Sequence, residues 1–372
     1  MEAPDPAVVG RLGDHVADTG LEPTAYIAKC FDTHDIVFLG EFGRSAQAGH
    51  LLQELVPTLV DAGVWTLGVE WLLAEDQPLI DRLLAAEDFD PTLAATLVFH
   101  WGIRHAAVFQ EYVDVLEAAW RANQRLDMNA PAFKVLALDY DLDYDSVTDS
   151  ADLLRPEAWP HLRSRGPAGR AMADRVQREL LSTRRRALIS CSTTHALTHH
   201  RRAVHPEFDR IDVDVVNGRV LGLGNHVFGW RADRVTTVLL HQPLPGPAGY
   251  GADLVFAADG LLDLVFARPD GPKYPIGFDV SCGPFASLQC TTAHDEPLFG
   301  GWTNGYIFLD SVSDMTAPTP CFTPIDAEHL EEARRRVLPG ALRSCDISVD
   351  LMKGAIETQA TVAELVWRTV GI

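Results

Sequence analysis

Two glutamates in this chain close short apolar runs in the same way. Ile36-Val37-Phe38-Leu39 is an unbroken stretch of β-formers ended by Gly40 and Glu41, and Trp65 to Val69 is a second stretch ended by Glu70. Continuous apolar runs of this length suit strands buried on both faces of a parallel sheet. Between them Leu51, Leu52, Leu55, Leu59 and Val60 recur at helical intervals, and Gly63 fits the helix stop. The unit reads β-α-β. Parallel neighbouring strands would set Glu41 and Glu70 side by side at their carboxyl edge, where open α/β sheets bind ligands. A lone glutamate after a strand is usually a solvated loop residue or a charge at a helix N-terminus. A matched pair across one unit points instead to chemistry.

Further residues join this edge by position. Asp139 ends the apolar run Phe133 to Leu138, His195 follows the run Ala187 to Cys191, and His50 opens the first helix. Carboxylates beside an imidazole can do general acid–base work, because crowding raises one carboxyl pKa while another acid orients and charges the ring. The same set could hold a divalent metal. Arg44, close to Glu41, would lower that carboxyl's pKa by charge pairing and act as an anchor. His100, Trp101 and His105 stand before a helix, where they either cap and pack it or line the pocket. The acidic run Asp139 to Asp145, with Tyr140 and Tyr144, reads as a solvated loop, with a metal site or a tyrosine-lined pocket behind it as the sharper readings. His199 and His200, followed by Arg201 and Arg202, read as a solvated turn. There is no HExxH, no GxSxG and no cysteine in a known nucleophile context, which disfavours a serine-triad hydrolase.

The elements that must position these groups follow from the rest of the chain. Its 372 residues are enough for a large core, and a hydrophobic share of 47% with a charged share of 22% is that of a soluble globular protein. A formal net charge of −21 repels phosphate backbones and anionic membranes, so neither nucleic acid nor membrane is an expected partner. The six cysteines, at 30, 191, 282, 290, 321 and 345, show no CxxC spacing. With no signal-peptide pattern and no membrane-length apolar run, the expected location is the cytoplasm, with reduced thiols.

Strands alternating with helices predict an α/β fold: a central, mostly parallel sheet with helices on both faces, and the strands starting near Ile36, Thr66, Phe133 and Ala187 adjacent in it. Residues 1–30 read as a helical lead-in and Ala106 to Asn123 as a clear helix. Residues 143–168 read as an insertion or helical lid, and Val235 to His241 as a fifth strand. Leu262 to Phe266 and Gly305 to Leu309 are β-like runs in a Gly- and Pro-rich region. The glycine-rich turn near Leu221 is a weak nucleotide signal. A helical tail covers roughly 326–367. The expected division is an α/β domain over 1–320 and a C-terminal helical segment over 321–372 packed on it.

At these residues the chain resembles a family. Leu39-Gly-Glu41, a helix, then Leu67-Gly-Val-Glu70 is similar to the erythromycin-esterase and ChaN-like superfamily, to which the Tiki/TraB proteins are related. Leu136-Ala-Leu-Asp139, Arg170-Ala-Met172, Leu188 to His195 and Asn304 to Leu309 resemble its later motifs in the right order, over about residues 33–310. The resemblance implies a pocket at the sheet edge. It makes Glu41, Glu70, His195, His50 and Arg170 the catalytic set, Arg170 being an anion or carboxylate clamp. Arg44, Asp139, His100, His105 and Trp101 then contact substrate. In the esterase branch His and Glu activate a water that opens a macrolide ester; in the Tiki branch a metal supports peptide cleavage; the ChaN branch binds haem. Gly43 and Arg44 stand where the family has a histidine, and Ser192 aligns with another. The expectation is therefore an enzyme of specialised metabolism acting on an ester or amide bond of a small molecule or peptide intermediate, without metal or cofactor. A catalytically degenerate binding protein, or a haem binder through tyrosines or histidines, is the alternative. The expected partners are a small-molecule or peptide substrate, with a homodimer as the open oligomeric reading.

Overall fold

The computed structural model describes residues 5–41, 45–127, 129–144, 157, 159–201, 214–245, 254–289, 298–336 and 347–370. Its strands in chain order are β1 (Ile36–Glu41), β2 (Thr66–Leu73), β3 (Lys134–Asp139), β4 (Ala187–Ser192), β5 (Asp214–Val216), β6 (Arg219–Leu221), β7 (Val235–Leu240), β8 (Leu244–Pro245), β9 (Leu254–Val255), β10 (Ile276–Asp279) and β11 (Gly305–Phe308). Seven of them form one sheet in the order β10-β11-β7-β1-β4-β2-β3; β5 with β6 and β8 with β9 make separate two-stranded ribbons. Every pair in the large sheet is parallel except β10 with β11.

The helices are α1 (Pro6–Thr19), α2 (Pro23–Cys30), α3 (Ala46–Asp61), α4 (Gln77–Ala85), α5 (Pro91–Gly102), α6 (Gln110–Gln124), α7 (Trp159–Leu162), α8 (Ala168–Val176), α9 (Thr193–Ala196), α10 (Leu223–Arg231), α11 (Leu261–Phe266), α12 (Leu330–Arg336) and α13 (Val349–Val370). Alternation along each strand decides which of them it meets, because successive side chains leave opposite faces. From β1, Val37 and Leu39 enter a core with Ile27 of α2, Leu52 and Leu55 of α3, and Leu116 of α6. Ile36 and Phe38 enter the other core, with Val16 of α1, Met172 and Val176 of α8, Leu223 and Val227 of α10 and Leu262 of α11. Helices therefore cover both faces, and the apolar runs are continuous because both faces are dry.

One expectation about the sheet is corrected. The strands starting at Ile36, Thr66, Ala187 and Lys134 are contiguous, but β1 and β2 are not neighbours. β4 lies between them, pairing Gly40 with Cys191 on one side and Val69 with Ser190 on the other. The crossover through α3 skips one position, and the chain fills it only after β3. A second correction concerns Leu262 to Phe266, which lies in helix α11. Leu261, Leu262, Val265 and Phe266 are its buried residues, a helical spacing with no alternation. At the C-terminal end, Ile347 and, from α13, Met352, Ile356 and Ala360 join the first core. Of the expected lid, residues 145–156 and 158 lie outside the described set, as does Arg44. Among the described residues no helix is long and apolar enough to cross a membrane.

Candidate functional site

Polar residues gather at one edge of the parallel strands: Glu41 ends β1, Asp139 ends β3, Ser192 ends β4 and His241 follows β7 directly, whereas Glu70, expected at a strand end, lies inside β2, which runs on to Leu73 through an irregularity after Val69. Right after β4 the chain turns into the four-residue helix α9, which brings His195 back over the edge. That turn needs a glycine beneath it. A Cβ on Gly40 would meet Leu239 Cδ2 at 2.5 Å and Ala196 Cβ at 2.8 Å, so a side chain there would collide with both β7 and α9. The result is a close acid–imidazole pair. His195 Nδ1 lies 2.9 Å from Glu70 Oε1, and the Ser192 backbone N–H donates to Glu70 Oε2 at 2.7 Å.

The two glutamates are pushed in opposite directions. Glu41 is only 5% exposed. Burial, reinforced by the negative charge of Glu70 and weakly opposed by the Ser190 hydroxyl, raises its pKa from the ordinary 4.5 to about 7. Burial would raise Glu70 too, but the His195 charge, the His195 hydrogen bond and the hydrogen bonds from Ser192 outweigh it and bring Glu70 down to about 2. Carboxylates split this way take different jobs: one stays ionised and orients the ring, the other holds a proton near neutral pH. Cys191, at the end of β4, is no candidate nucleophile. It is buried, and burial together with both glutamates pushes its thiol well above the usual range.

Asp139 belongs to a separate arrangement. Trp101 Nε1 donates to its Oδ2 at 2.9 Å, Arg104 Nη2 donates to the same oxygen at 3.0 Å, and the Tyr140 N–H donates to Oδ1 at 2.9 Å. Arg104 also donates to the Tyr140 carbonyl at 3.2 Å. Trp101 sits in α5, whose last turn holds it over β3. The histidines on either side go elsewhere: His100 Nδ1 is 2.8 Å from Asp76 Oδ2, and His105 is exposed, its ring 4.7 Å from that of Trp101.

Glu41, Glu70 and His195 therefore come together, and Asp139 with Trp101 forms a second group. Two members of the expected set lie apart. His50 is exposed on α3. Arg170 bonds Asp174 one helical turn on, at 3.0 Å, and lies over the Trp230 ring at 5.7 Å, with 47% of its side chain exposed. The largest charge acting on Glu41 is that of Glu70, and the largest acting on Glu70 is that of His195.

Sequence reasoning passed over Arg104 and His241. Arg104 is three residues from Trp101, the spacing that puts two side chains on one side of a helical turn. His241 closes the fifth apolar run just as Glu41 and Glu70 close theirs. It is buried, with Nδ1 3.0 Å from the Tyr306 hydroxyl and Nε2 3.1 Å from Asp263 Oδ1. On the side of α10, a cavity of about 60 Å³ is lined by His195, Thr194, His200, Asp214, Gly222 and Asn225 among others. That is room for several waters among polar partners. Among the described residues no three His, Cys, Asp or Glu side chains gather as a metal set. Nor do the tyrosines suit a haem. Tyr140 and Tyr144 are buried, and the Tyr140 hydroxyl donates to the Gly166 carbonyl while Arg163 and Arg165 lie over its ring.

The sequence matches no family model and no curated protein. Among solved structures it is similar to a succinoglycan biosynthesis protein, with a TM-score of 0.56 and 10% identity over 83% of this chain and 97% of that one. It is also similar to an erythromycin esterase mutant, EreC in its open conformation, with a TM-score of 0.48 and 10% identity over 76% of this chain and 92% of that one. A third is the haem-binding ChaN of Campylobacter jejuni, with a TM-score of 0.35 and 12% identity over 60% of this chain and 90% of that one. At such identities the first likeness shows a shared fold, and the other two add no argument to it.

Proposed function

We propose that this chain is an esterase-like hydrolase that cleaves an ester or amide bond of a small molecule or peptide intermediate by general acid–base catalysis. The observation that carries the reading is the split pair: Glu70 held ionised against His195, and Glu41 buried beside them with a pKa raised to about 7. With His195 Nδ1 committed to Glu70, proton exchange with a ligand falls to Nε2, as in other acid–imidazole pairs. In the reaction the neutral form of His195, its Nδ1–H donating to Glu70, takes a proton at Nε2 from a water as the water oxygen attacks the acyl carbon. Protonated Glu41 gives its proton to the departing alcohol or amine. The imidazolium then returns a proton to Glu41, so water and substrate leave as acid plus alcohol or amine with the protein unchanged.

The test is hydrolysis of a panel of p-nitrophenyl esters, macrocyclic lactones and short peptides, followed by mass spectrometry, with His195→Ala alongside. We expect at least one ester to be cleaved and His195→Ala to lower turnover by roughly 10²–10⁴-fold, the size of a general acid–base contribution, with substrate affinity changed far less. Turnover by His195→Ala equal to the unaltered chain would sink the mechanism. Binding without turnover in every case would favour the binding-protein reading, in which Ser192 at a family histidine position marks lost chemistry.

A further inference from the structure

The opposite edge of the sheet carries a different charge pattern. Of the turns that enter three neighbouring strands, two deliver arginines and one an acid: Arg184 and Arg185 precede β4, Arg231 and Arg234 precede β7, and Asp35 precedes β1 between them. These five, with Leu181 and Asp233, line an open cavity of about 470 Å³. Four guanidinium groups face two carboxylates there, within a chain whose net charge is −21.

The two acids are already engaged. Arg234 makes two hydrogen bonds to Asp35, both 2.9 Å, and Arg231 Nε lies 3.5 Å from Asp233. The adjacent Arg186 has a structural task, donating to the carbonyls of Phe31 at 2.6 Å and Ala62 at 3.2 Å. Arg184 and Arg185 are exposed and have no carboxylate partner among the described residues. A cation near a helix C-terminus can simply answer the helix dipole. That explanation fits Arg184 poorly. Its φ is +55°, and its N–H caps the Leu181 carbonyl at 3.2 Å, a position where glycine is the easy residue.

We infer that this arginine-lined cavity is a binding site for a small multiply charged phosphate, of the pyrophosphate class. Planar guanidinium forks match phosphate oxygens in pairs. Two unpaired arginines flanked by two half-neutralised ones suit a ligand carrying at least two negative charges. In a chain of net charge −21 a cavity lined by four arginines and two acids is a local positive exception, which favours an anion there. The site lies at the far end of the strands from Glu41 and Glu70, so it serves regulation or anchoring and takes no part in the hydrolysis.

The test is calorimetric titration of the full chain with sodium pyrophosphate and, separately, ADP at low ionic strength. Comparison chains are Arg184→Gly/Arg185→Gln, the single Arg185→Gln, and Arg121→Gln on the distant surface of α6. We expect one saturable site, weakened about tenfold or more by the double change through loss of two charge-assisted forks, and untouched by Arg121→Gln. Thermal unfolding without ligand should be no earlier for the double variant, since glycine relaxes the turn; should that variant fail to fold, Arg185→Gln alone must still weaken binding. Tighter binding of ADP than pyrophosphate would place the phosphates on a nucleoside, and equal binding would make the bare anion sufficient. No saturable binding of either ligand, or equal affinity in the arginine variants, overturns the site.

Discussion

Asp139 and Glu41 end neighbouring-level strands of the same sheet, and their surroundings make them opposites. Asp139 accepts from an indole, a guanidinium and a backbone N–H, so its charge is matched in place. Glu41 is equally buried but meets another carboxylate and a hydroxyl. A buried carboxylate with a fixed cation is architecture, because neutralising it costs the fold its partner. One facing a like charge is poised to hold a proton. Position at a strand end puts both acids at the ligand edge; the neighbour that arrives from elsewhere in the chain decides which one can do chemistry.

The largest test of this contrast removes the cation. Arg104 is 6% exposed and Asp139 12% by side chain. Arg104→Ala leaves Asp139 charged and buried with only Trp101 and a backbone N–H, which should cost about 3–5 kcal/mol of stability in urea denaturation, the usual consequence of breaking a buried pair. Loss below about 1 kcal/mol would place this pair with exposed ion pairs and remove the contrast.

Some of this is legible in the sequence, and the limit has a physical source. The runs at Ile36, Thr66, Phe133, Ala187 and Val235 are visible because strands dry on both faces carry few polar residues, and the acid or imidazole at or just past each run is visible with them. The insertion of β4 between β1 and β2 is invisible, because strand order depends on pairing between residues some 150 positions apart, such as Gly40 and Cys191. The same holds for partners. Glu70 and His195 can be placed at one edge from local pattern, but that Arg104 reaches Asp139 depends on where α5 packs. Leu262 to Phe266 is misread as strand because a short apolar run carries too few polar residues to reveal its period.

The second test reverses the sign. Glu41 has its pKa raised in the folded chain, so the stability it contributes is full below pH 4.5 and is lost as pH rises through about 7. Glu41→Gln has no proton to lose. Relative to the unaltered chain it should match at pH 4 and gain steadily up to pH 7, reaching on the order of 3 kcal/mol above that, since each pKa unit is worth about 1.4 kcal/mol. Hydrolysis that uses the Glu41 proton should fall as pH rises through about 7. Paired urea titrations across pH check the first part; a difference that stays flat with pH would mean Glu41 is ionised throughout and has no proton to give.

The smallest expected effect belongs to Arg170, the residue that sequence and structure place differently. Its side chain is half-exposed, paired with Asp174 one turn on and lying over Trp230. An exposed helical pair contributes about 0.3–0.5 kcal/mol and a cation over an exposed ring about 0.5–1 kcal/mol. Arg170→Ala should therefore lower stability by about 1 kcal/mol or less and leave turnover within about twofold, the loss shrinking further in high salt as screening removes the ion pair. A side chain that neutralised the acid pair would behave otherwise. Its removal would take a countercharge from the acid pair, shift the pH profile of turnover and weaken anionic substrates selectively. Measuring turnover against pH for Arg170→Ala separates the two: an unchanged profile leaves His195 as the partner of Glu70 among the described residues, whereas a profile displaced to higher pH would bring Arg170 into the site when substrate is bound.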